Sequence, residues 1–262
     1  MNAPPLLPPD PAPLVTTRAG RRRLEFQPGD VQSEMRLAAP AALVLAYTRA
    51  IMAFALFVPH PRHIVMVGLG GGSLAKFCYR HFPATRITVL ELRADVIALR
   101  SAFAVPPDDA RLTVIHADAA DWLASRRACA DVLIVDGFDR SGLPPALGSA
   151  RFYSHCRRAL TDGGVMVANL FSYDPACPRM LARLDLLFDG RVCRLDGVAG
   201  NNRIVFAVKA SPGAVGDAVP AVRLQARLAR RHGLGAGWRN RLLVRALLLW
   251  LVTRNTFQKT TD

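Results

Sequence analysis

Short apolar runs rich in β-branched side chains alternate with segments of helical periodicity through the middle of the chain. Each of five such runs is followed by a stretch whose apolar residues recur every three or four positions. Strands that alternate with helices in this way indicate a parallel sheet with helices packed on its faces. The pattern therefore predicts an α/β fold with a doubly wound, mostly parallel sheet, with strands at 63–68, 86–91, 112–117, 131–136 and 164–170.

The pattern changes on both sides of this region. Leu14–Phe26 and Val31–Leu37 predict a small β element of short strands, and Pro40–Phe57 shows one apolar helical face. Arg191–Leu195 and Arg203–Lys209 predict two closing strands. We therefore expect four segments: a disordered proline-rich leader (1–13), the N-terminal β element and helix (14–60), the main domain (61–210) and a basic helical C-terminal extension (211–262).

A glycine-rich turn follows the first predicted strand of the main domain. Gly68, Gly70 and Gly72 precede a helical pattern that begins at Ser73, and the second strand ends on Glu91. Glycines allow a tight turn and close approach to a ligand, and an acid after the second strand can bind both hydroxyls of a ribose. A dinucleotide site would need glycine in place of Ser73. The spacing therefore favours an S-adenosylmethionine-type ligand in a Rossmann-like sheet of the class I methyltransferase type, with a ligand-free structural turn as the alternative.

Four carboxylates stand where predicted strands end. Glu91 ends the second strand, Asp118 lies beside Ala119 after the third, and Asp136 and Asp139 follow the fourth. Ligands of such sheets bind at the carboxyl ends of the strands, so these acids are expected at one edge. Buried acids are costly unless they meet cations or hydrogen bonds, which indicates a binding site. The structural alternative is that Asp118 and Asp139 only cap the helices that follow them.

Composition narrows the class of protein. A chain of 262 residues with 51% hydrophobic content can bury the core of one enzyme-sized domain. Its five cysteines show neither C-x-x-C spacing nor clustering with the histidines, so we expect buried thiols, no metal site and a reducing compartment. The leader lacks the basic start and long apolar core of a signal peptide, which favours a cytoplasmic protein.

The charge is concentrated at the C-terminus. The formal net charge is +14, and residues 211–262 hold eight arginines and one lysine against two aspartates. We expect helices at Val219–His232, ending before Gly233, and at Trp238–Arg254. The apolar run Ala246–Val252 is too short to span a bilayer, so it is expected to pack on the protein's own core or on a second copy in a homodimer. A solvated arginine face, an anionic membrane surface and nucleic acid are the alternatives for the basic residues.

Several segments together resemble the spermidine and spermine synthases, the polyamine aminopropyltransferases, and most closely their bacterial spermidine-synthase-like branch. The similarity extends over about residues 20–209 and rests on six segments in the family's order: VMVGLGGG, VLEL, HADAADWL, DVLIVDGFDRSGLPPAL, RFYSHCRRALTDGG and VMVANL. It implies transfer of an aminopropyl group from decarboxylated S-adenosylmethionine to a small amine, without a metal. The nucleoside-binding residues that it implies are Gln32, Gly68, Gly70, Gly72, Glu91, Asp118 and Ala119.

The resemblance also implies the residues that act on the amine. Asp136 corresponds to the acid that deprotonates the attacking amine, a step that is required because an ammonium has no free electron pair. Asp139 corresponds to an acid that helps to hold the amine, and Tyr47 falls within one position of a tyrosine in the substrate pocket.

Two positions depart from the family pattern. Gly71 replaces the aspartate that grips the ammonium of the donor, and Arg49 stands where the family has an acid, so it is expected to repel a polycationic substrate. Three interpretations therefore stay open: an aminopropyltransferase-like enzyme, a methyltransferase that uses intact S-adenosylmethionine, and a non-catalytic nucleoside-binding regulator that acts through its basic tail.

Overall fold

A computed structural model describes residues 11–138, 142–211 and 237–258 of the chain. Its strands are β1 (Leu14–Arg18), β2 (Arg21–Glu25), β3 (Val31–Arg36), β4 (His63–Val67), β5 (Arg86–Glu91), β6 (Leu112–His116), β7 (Ala130–Val135), β8 (Leu160–Phe171), β9 (Val192–Ala199) and β10 (Asn202–Val208). Its helices are α1 (Ala46–Ile51), α2 (Ser73–His81), α3 (Ala94–Ala98), α4 (Ala119–Ala124), α5 (Ala150–Ala159), α6 (Cys177–Leu187) and α7 (Gly237–Gln258).

Seven strands form the main sheet in the order β6-β5-β4-β7-β8-β10-β9. The strands from β4 to β8 run parallel, and β10 pairs antiparallel with β8 and β9. The predicted fold class and all seven predicted strands of this sheet are therefore found. Strand β8 begins at Leu160, four residues before its predicted start. The strand order reverses between β4 and β7, which creates a crevice at the carboxyl ends of these two strands.

The predicted β element is a three-stranded antiparallel sheet, β1-β2-β3. Glu34 on β3 forms ion pairs with Arg21 and Arg23 on β2, and its side chain is almost fully buried. These pairs join β3 to β2 across the sheet. Ser33, the neighbour of Glu34, contacts the glycine turn after β4, so β3 forms one wall of the crevice.

The helix predicted over Pro40–Phe57 is shorter than expected. Helix α1 begins only at Ala46, and a 3-10 turn at Met52–Leu56 continues it. The guanidinium group of Arg49 donates hydrogen bonds to the carbonyl oxygens of Leu43 and Val44, at 3.0 and 2.5 Å. These carbonyls are satisfied by a side chain, so the backbone before Ala46 can remain irregular without leaving them unpaired.

Apolar side chains fill both faces of the main sheet. On one face, α1, α2 and α7 contribute to a core that also contains side chains of β3, β4 and β10. On the other face, α4, α5 and α6 pack over the alternate residues of β4 and β10 and over residues of β7 and β8. Because both faces are covered, the central strands carry nearly continuous apolar runs, which explains why the sequence pattern revealed them.

Helix α7 lies against the main domain. Val244, Leu247 and Leu251 are buried in the same core cluster as residues of α1 and β10, and α7 also contacts β9. For this helix the expected packing on the protein's own core is found. Among the described residues, no helix has the length and hydropathy that crossing a membrane requires. The helix predicted at Val219–His232, its stop at Gly233 and residues 1–10 of the leader lie outside the described residues.

Candidate active site

A cavity of about 280 Å³ opens at the carboxyl ends of β4, β5, β6 and β7. Its charged lining residues among those described are Glu91, Arg93, Asp118 and Asp136. Three carboxyl groups against one guanidinium give the cavity an excess of negative charge when all are ionised. Of the four carboxylates expected at this edge, three are present, whereas Asp139 lies outside the described residues.

Glycine is required at different positions of the turn after β4 for different physical reasons. Gly68 has a φ of +94°, and a Cβ there would lie 2.5 Å from the carbonyl oxygen of Asp136. Any side chain would therefore force β4 and β7 apart. Gly70, with a φ of +51°, lines the cavity with its backbone. Gly72, expected to bind the nucleoside, is not among the lining residues: a Cβ there would meet Val105 at 2.3 Å, so packing explains this glycine.

Glu91 is held rigidly at the end of β5. One of its carboxylate oxygens accepts a hydrogen bond from the backbone N–H of Leu69 at 2.7 Å, and the other accepts one from that of Arg93 at 2.9 Å. The side chain is 8% exposed and lines the cavity. Each carboxylate oxygen retains a free lone pair, so the group can still accept hydrogen bonds from two ligand hydroxyls.

Asp118 caps a helix and also lines the cavity, so the two interpretations of the sequence are compatible. One carboxylate oxygen caps α4 by accepting a hydrogen bond from the backbone N–H of Ala120 at 2.6 Å, while the residue also lines the cavity. Ala119 lines the cavity beside it. The cap fixes the carboxylate at the N-terminus of α4 and leaves its second oxygen available to a ligand.

Asp136 lies at the reversal of strand order, where β7 ends. Its Oδ1 atom accepts a hydrogen bond from the side-chain amide of Asn169 at 2.8 Å, and the hydroxyl group of Tyr47 also hydrogen-bonds to the carboxyl group. Burial raises the pKa of Asp136 to about 7, against the lowering effect of these two hydrogen bonds. A carboxyl group with such a pKa can accept and release a proton near neutral pH.

Tyr47 and Gln32 both line the cavity. The hydroxyl group of Tyr47 has a single proton to donate, and its neighbouring acceptors are the carboxyl group of Asp136 and the backbone carbonyl of Gln32, which lies 3.5 Å away. Burial raises the pKa of Tyr47 well above its usual value, and the neighbouring Asp136 adds to this. Gln32 lines the cavity, and its side-chain amide donates to Asp30 at 2.7 Å. The structure therefore brings both predicted residues to the cavity.

Arg49 points away from the cavity. Its guanidinium group is bound by the carbonyl oxygens of Leu43 and Val44, and burial together with nearby Arg245 lowers its pKa. Thr48 lines the cavity, whereas Arg49 does not. The structure therefore directs the charge of Arg49 to backbone carbonyls just before α1, and the expected repulsion of a cationic substrate stays a prediction.

Gly71 is confined by its neighbours. A Cβ at this position would lie 2.6 Å from the hydroxyl oxygen of Ser33 and 2.8 Å from the ring of Phe103. An aspartate could be accommodated only if both side chains moved. Instead, the hydroxyl groups of Ser33 and Ser73, which lie 3.3 Å apart, line this end of the cavity.

Two asparagines near the cavity were not predicted from the sequence. Asn169, only 2% exposed, contacts Asp136, and Asn202 donates to Asn169 at 3.0 Å. A polar residue in the apolar run VMVANLF was the available signal for Asn169. Among the described residues, no three histidine, cysteine or acidic side chains come together as a metal site would require.

Comparison with known proteins identifies the family. A family model described as "Spermine/spermidine synthase domain" matches residues 44–172. The polyamine aminopropyltransferase of Neisseria meningitidis serogroup A is 38% identical over 193 residues, which are 73% of this chain and 73% of that protein. The chain belongs to the polyamine aminopropyltransferase family. The family resemblance derived from the sequence is thereby confirmed.

Solved structures agree on the fold. A probable spermidine synthase from Corynebacterium glutamicum superposes with a TM-score of 0.68 at 23% identity, over 86% of this chain and 84% of that chain. Human Methyltransferase-like protein 13 in complex with SAH superposes with a TM-score of 0.54 at 27% identity, over 71% and 89% of the two chains. These similarities confirm a Rossmann-like fold of the class I methyltransferase type.

Proposed function

We propose that this protein transfers an aminopropyl group from decarboxylated S-adenosylmethionine to a small amine, with Asp136 as the general base. The observation that carries the proposal is the carboxyl group of Asp136 itself. It lines the cavity at the reversal of strand order, and burial raises its pKa to about 7. Membership of the aminopropyltransferase family supports the same reaction.

The nucleoside of the donor is proposed to bind along the β4–β6 side of the cavity. Glu91 accepts hydrogen bonds from the ribose hydroxyls, Asp118 and Ala119 contact the adenine, and the turn at Gly68 and Gly70 lies beneath the sugar. The fixed orientation of both carboxylates supports these roles, since neither has to be ordered when the ligand binds. Gln32 also lines the cavity and is proposed to contact the nucleoside.

The chemical step is a displacement at carbon. Asp136 takes a proton from the acceptor's ammonium group. The freed electron pair of the nitrogen then attacks the methylene carbon of the aminopropyl group that is bonded to the sulfonium. A carbon–nitrogen bond forms, the carbon–sulfur bond breaks, and its electron pair neutralises the sulfur as methylthioadenosine leaves. Positioning of the two substrates in one cavity supplies a large part of the acceleration. Tyr47 and Asp139 are proposed to hold the acceptor amine.

The tail of the donor is proposed to lie near Ser33 and Ser73. Their hydroxyl groups can accept hydrogen bonds from the terminal ammonium of the decarboxylated donor, although they lack the charge of an aspartate. Hydroxyl groups can equally donate to a carboxylate, so we expect only modest discrimination against intact S-adenosylmethionine.

Methyl transfer is the second candidate function. It is favoured by Gly71, which removes the carboxylate that would repel the carboxylate of an intact donor, and by the similarity to a methyltransferase-like protein in complex with SAH. The two reactions leave different products, because aminopropyl transfer releases methylthioadenosine and methyl transfer releases S-adenosylhomocysteine.

Product analysis tests the proposal. Each donor is supplied to the full-length protein with putrescine, cadaverine or spermidine, and the nucleoside product is identified by mass spectrometry. We expect methylthioadenosine from the decarboxylated donor. S-adenosylhomocysteine from the intact donor would favour the methyltransferase, whereas tight nucleoside binding without any turnover would favour a regulator.

Asp136→Asn tests the base. The substitution preserves the shape of the side chain but removes its basicity, so kcat should fall by about 10²–10⁴-fold while the affinity for methylthioadenosine is retained. In the wild type, kcat/KM should fall as the pH drops below about 7, because protonated Asp136 cannot accept a proton. Asp121→Asn, an exposed aspartate on α4, is the matched control. An Asp136→Asn variant with full activity would refute the mechanism.

A further inference from the structure

Two side-chain amides connect Asp136 to the far edge of the site. Asn169 on β8 donates from its side-chain NH₂ group to Oδ1 of Asp136 at 2.8 Å. The NH₂ group of Asn202, the first residue of β10, donates to the side-chain oxygen of Asn169 at 3.0 Å. Asn202 pairs with Phe171 across the β8–β10 ladder, so Asn169, two positions before Phe171, is its diagonal neighbour on the same face of the sheet.

The second amide satisfies the oxygen of the first. An asparagine side chain can present either its oxygen or its NH₂ group, depending on a rotation of 180° about χ2. An ionised carboxylate can only accept hydrogen bonds, so Asn169 must present its NH₂ group to Asp136. Its oxygen then faces Asn202, whose side-chain NH₂ group satisfies it and so supports the orientation that the carboxylate requires. Asn169 is 2% exposed, which leaves little access for water to replace that donor.

We propose that Asn169 and Asn202 are positioning residues, and that their two-amide relay orients the Asp136 carboxylate and favours its ionised form. Neither asparagine lines the cavity, so neither is expected to touch the substrates. Because the Asn169 bond holds Oδ1, the other carboxylate oxygen is the one proposed to accept the proton of the incoming amine. The proposal rests on the proposed role of Asp136 as the base.

The groups around Asp136 determine what the relay changes. Tyr47 on α1 is the titratable side chain that hydrogen-bonds to it, and the charged residues Glu91, Arg93 and Asp118 share its cavity from beyond the ends of β5 and β6. The described lining residues that follow β7 are Gly137, Phe138, Pro144, Ala146 and Leu147, which carry no charge. Burial raises the pKa of Asp136, and the bond from Asn169 is the largest effect that lowers it. Loss of the relay should therefore raise this pKa further.

The test is a titration of Asp136 that does not depend on turnover. The carboxyl ¹³C resonance of Asp136 is identified by its absence from the Asp136→Asn spectrum, and its chemical shift is followed with pH. Asn169→Ala should raise the titration midpoint by about one pH unit, a tenfold change in proton affinity, and Asn202→Ala should raise it by a smaller amount. Asn202→Ser, which keeps a donor, should restore part of the shift.

Asn201→Ala is the matched control, because Asn201 is exposed in the same turn and no side-chain contact to Asp136 involves it. Its titration midpoint should equal that of the wild type. Methylthioadenosine affinity, measured by calorimetry, should be unchanged in all four variants. If Asn169→Ala does not fold, the half-buried Asn202 still provides the test.

Two results separate this proposal from the proposed function. An Asn202→Ala midpoint equal to that of Asn201→Ala would overturn the relay, whatever the enzyme's activity. If the variants show the expected shifts of the midpoint but the wild-type protein converts no donor, the relay would be supported and the proposed function refuted. In an active enzyme, the acid limb of the kcat profile should move to higher pH together with the midpoint.

Discussion

Lys76 on α2 and Asp136 at the end of β7 are ionisable residues whose pKa values are shifted by burial. Lys76, on the inner face of α2, is 3% exposed. Its ammonium group donates to the carbonyl oxygen of Phe103 at 2.6 Å and to the sulfur of Met35 at 3.2 Å. Burial lowers the pKa of Lys76 to about 8. Whereas Asp136 lies in the cavity and is proposed to act on substrate, Lys76 lies behind it and is a cost to stability.

Lys76→Met should stabilise the protein at pH 7 by about 1–2 kcal/mol, because the folded state no longer has to bury a charge. In the wild type, the unfolded chain holds this proton up to about pH 10.5 and the folded chain only up to about pH 8. The penalty is therefore complete below pH 8 and disappears as the pH rises towards 10.5. The stability gain, measured by urea unfolding, should shrink over this range. A gain independent of pH would show that packing, rather than charge, is responsible.

The sequence pattern succeeded and failed at identifiable elements. Strands β4, β5 and β7 were predicted because both faces are buried and most of their residues are apolar. Helix α2 was found over Ser73–His81, as its periodicity indicated. The first six residues of Pro40–Phe57 are not helical, although the apolar spacing continues through them, and the side chain of Arg49 bonds to the carbonyls of two of them. Local periodicity does not register a hydrogen bond made by a side chain.

Helix α7 has one face that is buried against the core and one that is exposed. Val244, Leu247 and Leu251 face the core, whereas Leu249 is 66% exposed. Leu251→Ala should destabilise the protein by about 2–4 kcal/mol through loss of buried contacts and creation of a cavity. Leu249→Ala is the matched control and should change stability by less than about 0.5 kcal/mol. Equal effects in urea unfolding would mean that α7 does not pack as described.

At the scale of the whole molecule, the sign of the net charge is opposite to the sign of the charge in the cavity. The chain has a formal net charge of +14, yet three of the four charged residues that line the cavity among those described are acidic. An acidic cavity in a basic protein suits ligands that carry a sulfonium or an ammonium group, because the local field rather than the net charge acts on a bound ligand. Binding of the basic tail to nucleic acid or membranes, and self-association, remain predictions.

Nucleoside binding should stabilise the whole protein. Methylthioadenosine at 100 times its Kd should add about 2.7 kcal/mol to the free energy of unfolding and raise the Tm. Glu91→Ala and Asp118→Ala should each weaken binding by about 1.5–3 kcal/mol, since each removes an acceptor for ligand hydrogen bonds. Differential scanning calorimetry with and without ligand measures this, and Asp121→Ala is the control. Unchanged Tm shifts in both variants would contradict the nucleoside site.

The sequence by itself determined the succession of strands and helices along the chain, the glycine turn, the acids at the strand ends and the family. All of these are local patterns, or single residues at fixed distances from a local pattern, and neighbouring residues are sufficient to produce them.

Only the tertiary structure decided which side chains meet. It turned Arg49 away from the cavity, placed Val105 against Gly72 and Ser33 against Gly71, and brought Asn169 to Asp136. The partners in the chain Asp136–Asn169–Asn202 are 33 positions apart at each step. Such contacts depend on the order of the strands within the sheet and on their register. Both are set by the packing of the complete sheet and not by the sequence near either residue.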